Sequence, residues 1–180
     1  RIVASSLSFV PRPERISTFT DFFGNLATEI SYAEPHDSLV IRLTARVHVE
    51  DLAPPIDLSP TIADLQREIS GLWSVAANSP HHFRAASPRV PLDAAIIDYA
   101  RTAVGPAPSA LAAANALCLA IHRDFAYDPR ATQVSTTPAE AFALRRGVCQ
   151  DFAHIMIAGL RGLGIPAGYV SGFLRTNPPA

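Results

Sequence analysis

The chain has 180 residues and is nearly neutral, with fifteen basic residues against sixteen acidic ones, so it offers no basic surface of the kind that attracts nucleic acids or anionic membranes. No apolar run is long enough to span a bilayer, and the first residues lack the charged-then-hydrophobic pattern of a secretory signal. Two cysteines do not make a disulfide framework, so we expect a reducing, cytoplasmic location with neither nucleic acid nor membrane as partner.

The first fifty residues predict an antiparallel β-sheet unit. Residues 39–49 place apolar side chains at the odd positions and mostly polar ones between them, which is typical of a half-buried strand. A second alternation covers residues 26–32, after Gly24 and Asn25, which tolerate the positive φ of a turn. Residues 51–60 contain three prolines and form the predicted boundary, so we expect one domain over 1–53 and a second over 60–180.

Helices are predicted after this boundary. Ser59 and Pro60 are expected to cap the first, whose apolar face comprises Ile62, Leu65, Ile69, Leu72 and Trp73. The following loop, over 78–91, contains His81 and His82. Adjacent histidines in a helix or strand point apart, which favours a surface loop over a metal site.

A second helix is predicted over 92–103, closed by Gly105, and Ser109 is expected to cap a third. The inner face of the third helix is predicted to be Leu111, Ala114, Leu117, Cys118, Ile121 and Phe125. Because Cys118 lies within this apolar stripe, we interpret it as a buried, unreactive thiol.

Two residue pairs have the spacing of metal ligands on one helix face. These are Cys118 with His122, and Asp151 with His154. A zinc site needs three or four ligands, and each pair supplies two, so no metal is expected.

Cys149 stands where a loop becomes a strongly amphipathic helix. The capping box that begins at Thr137 starts a short helix predicted to end near Gly147, with Arg145 and Arg146 in its last turn. A thiol at the next helix start lies beside unpaired N–H groups and the positive end of the dipole, which favour the thiolate. The two arginines would add to this effect, whereas Asp151 opposes it while stabilising the helix.

Three segments form a longer pattern, namely 136–142 (TTPAEAF), 146–154 (RGVCQDFAH) and 163–172 (LGIPAGYVSG). Together they resemble the core of bacterial transglutaminase-like proteins. Residues 21–25 (DFFGN), followed by paired strands, resemble the β region that commonly precedes this core. The resemblance implies an α+β, papain-like fold. In this reading 1–53 is the N-terminal β region, and 60–180 is the helical part of a core truncated before most of its C-terminal sheet.

The same resemblance implies a Cys-His-Asp triad without a cofactor, in which Cys149 is the nucleophile. In that family the histidine and aspartate lie downstream of the cysteine helix, and no histidine follows His154 here. We therefore expect both partners beyond Ala180, and the 180 residues alone to be inactive or nearly so. His154 is rejected as the base, because five residues along one helix rotate it about 140° from Cys149. A buried, hydrogen-bonded histidine is the better interpretation, and His122 stays open as an approach from another helix.

The implied chemistry is attack on a protein or peptide amide, giving a thioester that an amine or water resolves. The alternative is a non-catalytic binding or scaffolding module in which Cys149 is structural. The chain has no lysine, so it cannot crosslink itself through lysine.

Residues 167–174 alternate apolar and small or aromatic positions and predict a strand without neighbours in the chain. Such a strand is expected to pair with an available edge, including that of a second copy in a homo-oligomer.

Overall fold

The computed structural model describes residues 2–50 and 56–172, and its contacts divide the chain into two units, Arg1–Ile56 and Asp57–Ala180. The first is described here as the β unit and the second as the helical unit.

The β unit consists of four strands in two antiparallel pairs. Strand β1 (Ile2–Val10) pairs with β4 (Val40–Val47), and β2 (Arg15–Thr20) pairs with β3 (Leu26–Ser31). The β2–β3 turn is held by the Asp21 carboxylate, which accepts the N–H groups of Phe23 and Asn25 at 2.9 and 2.8 Å. Gly24 takes a φ of 86° in this turn. The prediction of an antiparallel β unit is confirmed.

The prediction that residues 39–49 form a half-buried strand is wrong in its burial. The register places Leu7 opposite Leu43 on one face and Ser6 opposite Thr44 on the other, so the alternation itself is correct. All eight residues of β4 are nevertheless exposed. Period-2 alternation shows that two faces differ, whereas burial also needs a second layer over the apolar face.

The helical unit contains five α-helices and one short parallel strand pair within its described residues. The helices are α1 (Ile62–Ser70), α2 (Ala94–Val104), α3 (Ala110–Asp124), α4 (Pro138–Leu144) and α5 (Cys149–Gly162). Strands β5 (Ala126–Tyr127) and β6 (Arg146–Gly147) pair in parallel. A 3₁₀ turn covers Pro80–Phe83.

Helix α5 lies at the centre of this unit and packs against α2, α3 and α4. Its contact with α2 is close: a Cβ on Gly159 would lie 2.8 Å from the Cβ of Ala100. The fully buried apolar side chains come from α2 to α5 and comprise Ile96, Ala100, Ala113, Leu117, Ala141, Ile155 and Ala158. Burial of this apolar surface is the main stabilising contribution in the unit.

Several predicted helix ends are confirmed. The Ser109 hydroxyl accepts the Ala112 N–H at 3.1 Å, and Thr137 and Glu140 form the reciprocal capping box of α4. Gly105 closes α2 as predicted, because it is the C-cap of that helix, with a φ of 52°.

The predicted cap of α1 is wrong. Thr61 is the N-cap and accepts the Asp64 N–H at 3.1 Å. The Ser59 hydroxyl instead accepts the Leu111 N–H at 2.9 Å, so it serves the start of α3. Because Gly71 ends α1, Trp73 lies beyond it and is 96% exposed.

The predicted inner face of α3 is also partly wrong. The residues that are buried are Ala113, Leu117, Ala120 and Ile121, whereas Cys118 is exposed. Alanines occupy nearly every side of α3, so its apolar periodicity does not select one face.

Residues 167–172 do not form the predicted strand; residues 173 and 174 lie outside the described part of the chain. The Ala167 N–H instead donates to the Phe83 carbonyl at 3.0 Å. A strand needs a neighbour to satisfy its backbone, and none pairs with 167–172 among the described residues.

Candidate active site

Cys149 is the first residue of α5, and its side chain is exposed. The preceding residue, Val148, is the N-cap, and its carbonyl accepts the Phe152 N–H at 3.2 Å. The first N–H groups of a helix have no partner within it, and they lie at the positive end of its dipole. The thiol therefore stands in solvent beside donors that suit a negative charge.

Asp151 fixes the turn that precedes this thiol. It is only 1% exposed, and its Oδ2 accepts the Val148 N–H at 2.8 Å and the Thr132 hydroxyl at 2.6 Å. A Cβ on Gly147 would lie 2.5 Å from the same oxygen, so glycine is required there. The carboxylate thus links the start of α5 to a distant loop.

The short β5–β6 pair anchors the other side of the turn. The Ala126 N–H donates to the Arg145 carbonyl, and the Asp128 N–H to the Gly147 carbonyl, both at 2.9 Å. Because β5 directly follows α3, these bonds hold the residues before Cys149 against the end of α3.

Arg145 and Arg146 are not in the last turn of a helix, because α4 ends at Leu144. Arg145 adopts a left-handed conformation, with φ 53°, as the C-cap. Its guanidinium lies over aromatic rings, 4.2 Å from the Phe142 centroid and 4.7 Å from that of Phe125. Arg145 therefore makes cation–π contacts, and these offset part of the cost of its left-handed backbone. Arg146 is exposed in β6.

His154 is buried on α5, as predicted, with its ring centroid 5.3 Å from that of Tyr169. Burial lowers the pKa of His154, Asp151 acts in the opposite direction, and Arg89 adds a smaller lowering. Among the described residues it has no hydrogen-bond partner, so the predicted hydrogen bonding is not found there. No described contact joins Cys149 to His154 or to the exposed His122.

Two family models match the chain. The model described as the transglutaminase-like superfamily matches residues 97–179, and the model described as the bacterial transglutaminase-like N-terminal region matches 1–48. The chain belongs to the transglutaminase-like superfamily. This confirms the resemblance read from the sequence, and the match over 97–179 contains the whole Cys149 turn.

Mycobacterial proteins are similar to this chain over most of its length. Uncharacterized protein Rv2569c of Mycobacterium tuberculosis strain H37Rv is 32% identical, and the match covers 99% of this chain and 57% of that protein. Uncharacterized protein ML0607 of Mycobacterium leprae is 29% identical, with 90% and 55% covered. The chain thus spans just over half the length of the curated relatives it matches.

A solved structure supports the fold. The crystal structure of a "putative cysteine protease" from Cytophaga hutchinsonii superposes with a TM-score of 0.64 at 20% identity, covering 92% of this chain and 54% of that one. The predicted α+β, papain-like architecture of a transglutaminase-like protein is confirmed at the level of the fold.

The transglutaminase-like core contains a cleft beside α5, of about 390 Å³. We name it the α5 cleft, and the lining residues that matter below are Arg89, Val134, Gln150, His154, Arg161 and Tyr169. The sequence interpretation missed Arg89 and Arg161. An arginine in the last turn of a helix is normally read as a partner of the dipole, so Arg161 gave no signal of its burial.

Within residues 2–50 and 56–172, no group of three or more histidine, cysteine or acidic side chains could hold a metal ion. The ring nitrogen Nε2 of His81 lies 2.8 Å from the Leu72 carbonyl oxygen, and that of His82 lies 3.1 Å from the Ala76 oxygen.

Across the same residues, no helix has the length and apolar character needed to cross a bilayer.

Proposed function

We propose that Cys149 is the nucleophile of a cysteine-dependent acyltransferase or amidase of the transglutaminase-like type. The observation that carries this proposal is the exposed thiol at the first residue of α5, preceded by a turn that the buried Asp151 carboxylate holds in place. A buried thiol would favour a purely structural role, and Cys149 is exposed. Membership of the superfamily supports the same chemistry.

In the proposed reaction the Cys149 thiolate attacks the carbonyl carbon of an amide, and the carbonyl oxygen becomes an oxyanion. The free N–H groups at the start of α5 are suited to stabilise that negative charge. Collapse of the intermediate breaks the C–N bond and forms a thioester, and the leaving nitrogen departs as ammonia or an amine after protonation. Attack by a primary amine on the thioester gives transfer, whereas attack by water gives hydrolysis.

The proton shuttle for these steps is proposed to lie outside residues 1–180. His154 is buried against Tyr169 on the same helix as Cys149, and its rotation of about 140° turns it away. The match covers 57% of the Mycobacterium tuberculosis relative, so that protein is longer than the matched part. The 180 residues alone are then expected to form a thioester slowly and to show little or no turnover.

One observation favours a second function, a non-catalytic binding module. No contact among the described residues joins Cys149 to a histidine or a carboxylate. In that case the Cys149 turn would serve only the fold.

Alkylation by iodoacetamide separates the two functions, and the chain supplies its own reference thiol. Cys118 is also exposed, but it lies in the middle of α3, away from a helix start. We expect Cys149 to react roughly ten times faster than Cys118, because a helix start favours attack by its sulfur.

The variants Cys118→Ser and Cys149→Ser assign each rate to one sulfur. Equal rates at both sulfurs would favour the binding module and argue against an activated nucleophile. A cytoplasmic location and a protein or peptide amide substrate stay predictions.

A further inference from the structure

The α5 cleft contains a buried cation without an acidic partner. Arg161 is 9% exposed, and its Nε and Nη1 donate to the Ala167 and Ala85 carbonyls, each at 2.9 Å. Nη1 also donates to the Ser87 hydroxyl at 3.1 Å. All three acceptors are neutral, and burial lowers the pKa of Arg161. A desolvated guanidinium usually requires an opposite charge, and none is paired with it among the described residues.

A second cation lies at the same cleft. Arg89 is exposed, and its Nη1 lies 3.4 Å from the Val134 carbonyl oxygen. The side-chain amide of Gln150 lies at the same distance from the same oxygen. Both distances exceed the 2.7 to about 3.2 Å of a good N–H···O bond, so two donors share one poor acceptor.

The described side chains that line the cleft include two arginines and no aspartate or glutamate. Burial causes the lowering of the His154 pKa, and Asp151 acts against it more strongly than Arg89 adds to it. Asp151 lies nearby, but its Oδ2 is occupied by Val148 and Thr132.

We propose that the α5 cleft binds a carboxylate of the amide substrate, with Arg89 and Arg161 supplying the positive charge and Gln150 a further donor. The identity of the ligand as a peptide rests on the proposed function, whereas the binding of a carboxylate does not. Gln150 directly follows Cys149 along α5, so the cleft reaches the first turn of the helix that carries the thiol. Tyr169 and Val134 offer apolar surface to the rest of the peptide.

The test measures binding without turnover, using the Cys149→Ser chain. The probes are N-acetyl-Ala-Gln-Ala with a free C-terminal carboxylate, the same peptide as its C-terminal amide, and N-acetyl-Ala-Gln-Glu amide, which moves the carboxylate to a side chain. Titrations followed by NMR are expected to show the free acid binding about tenfold more tightly than the neutral amide. Comparison of the two acidic peptides identifies the preferred source of the carboxylate.

Arginine variants test the assignment to this cleft. Arg89→Gln is expected to bring the acid-to-amide ratio close to one, while the matched variant Arg130→Gln keeps it, because Arg130 is exposed but does not line the cleft. Arg161→Gln should act like Arg89→Gln if the chain still folds. If Arg161→Gln does not fold, Arg89→Gln alone decides the test, since Arg89 is exposed.

Equal binding of the acid and amide peptides, or equal losses in Arg89→Gln and Arg130→Gln, would overturn the subsite. Inorganic phosphate binding more tightly than either acidic peptide would also overturn it, in favour of a phosphate site. An acid preference together with an unreactive Cys149 would refute only the proposed function. A reactive Cys149 without an acid preference would refute only the subsite.

Discussion

The β unit and the helical unit differ most in what covers their apolar side chains. Helices α2 to α5 enclose a continuous core, and α5 at its centre is buried on most sides. The apolar face of the β1–β4 pair, by contrast, is largely exposed, and all of β4 is. Two-stranded pairs depend mainly on their main-chain ladder and are marginal by themselves. The stability of the chain should therefore reside in the helical unit, which also holds Cys149.

The same substitution in both units gives the largest expected contrast. Leu117 in α3 is 0% exposed, and Leu43 in β4 is 53% exposed. Leu117→Ala is expected to lower the free energy of unfolding by about 3 to 5 kcal/mol, because it leaves a cavity in a closed core. Leu43→Ala should cost less than about 1 kcal/mol, since little apolar area leaves contact. Urea unfolding followed by circular dichroism measures both.

If Leu43→Ala lowered the free energy of unfolding as much as Leu117→Ala, the contrast between the two units would be wrong. It would mean that the apolar face of β4 is covered in solution, by a second copy of the chain or by another part of the protein. Sedimentation of the parent chain and of Leu43→Ala distinguishes these two covers, because only the first depends on concentration.

The contrast also explains which features the sequence could predict. The capping box at Thr137, the Ser109 cap and the placement of Cys149 follow from residues within a few positions of each other, and all three are found. Local hydrogen bonds decide such features. The two-fold alternation of β4 was equally local and correct, but its burial depends on another layer.

Long-range partners left no signal in the sequence. Thr132 donates to Asp151 across nineteen residues, and nothing in its neighbours indicates this bond. Cys118 was assigned to the core because the alanines of α3 make several faces equally apolar. The cleft arginines come together only because the loop before α2 and the end of α5 meet in the fold.

Two aspartates, one in each unit, give a second comparison of stability with an intermediate expected effect. Asp151 and Asp21 each accept main-chain N–H groups of a turn, but Asp151 is buried, whereas Asp21 is only partly buried. Asp151→Ala is expected to cost about 3 kcal/mol, because it leaves the Val148 N–H and the Thr132 hydroxyl without an acceptor. Asp21→Ala should cost clearly less, because water can replace the carboxylate.

A second measurement distinguishes a role of Asp151 in positioning Cys149 from a role in stabilising the fold alone. If it positions the Cys149 turn, Asp151→Asn should reduce the excess alkylation rate of Cys149 over Cys118 by several-fold while the chain stays folded. Asp21→Asn is the matched control and should leave that ratio unchanged. An unchanged ratio in Asp151→Asn would limit this carboxylate to stabilising the fold.

The smallest expected effect is a pH dependence of stability from His154. Because burial lowers the pKa of His154 below its ordinary value of about 6.5, the unfolded chain binds this proton more readily than the native chain. The contribution of His154 is fully present above about pH 6.5 and is lost as the pH falls below it towards the native pKa. The aspartates and glutamate with lowered pKa values act at lower pH, since their ordinary values are 3.8 and 4.5.

Urea midpoints measured between about pH 5 and 7.5 should therefore rise with pH in the parent chain, and this slope should diminish in His154→Gln. His48→Gln, which removes an exposed imidazole from the β unit, controls for the loss of one histidine. A slope that survives in His154→Gln but disappears in His48→Gln would place the titrating group in the β unit. The pH dependence of stability would then not come from a buried histidine of the helical unit.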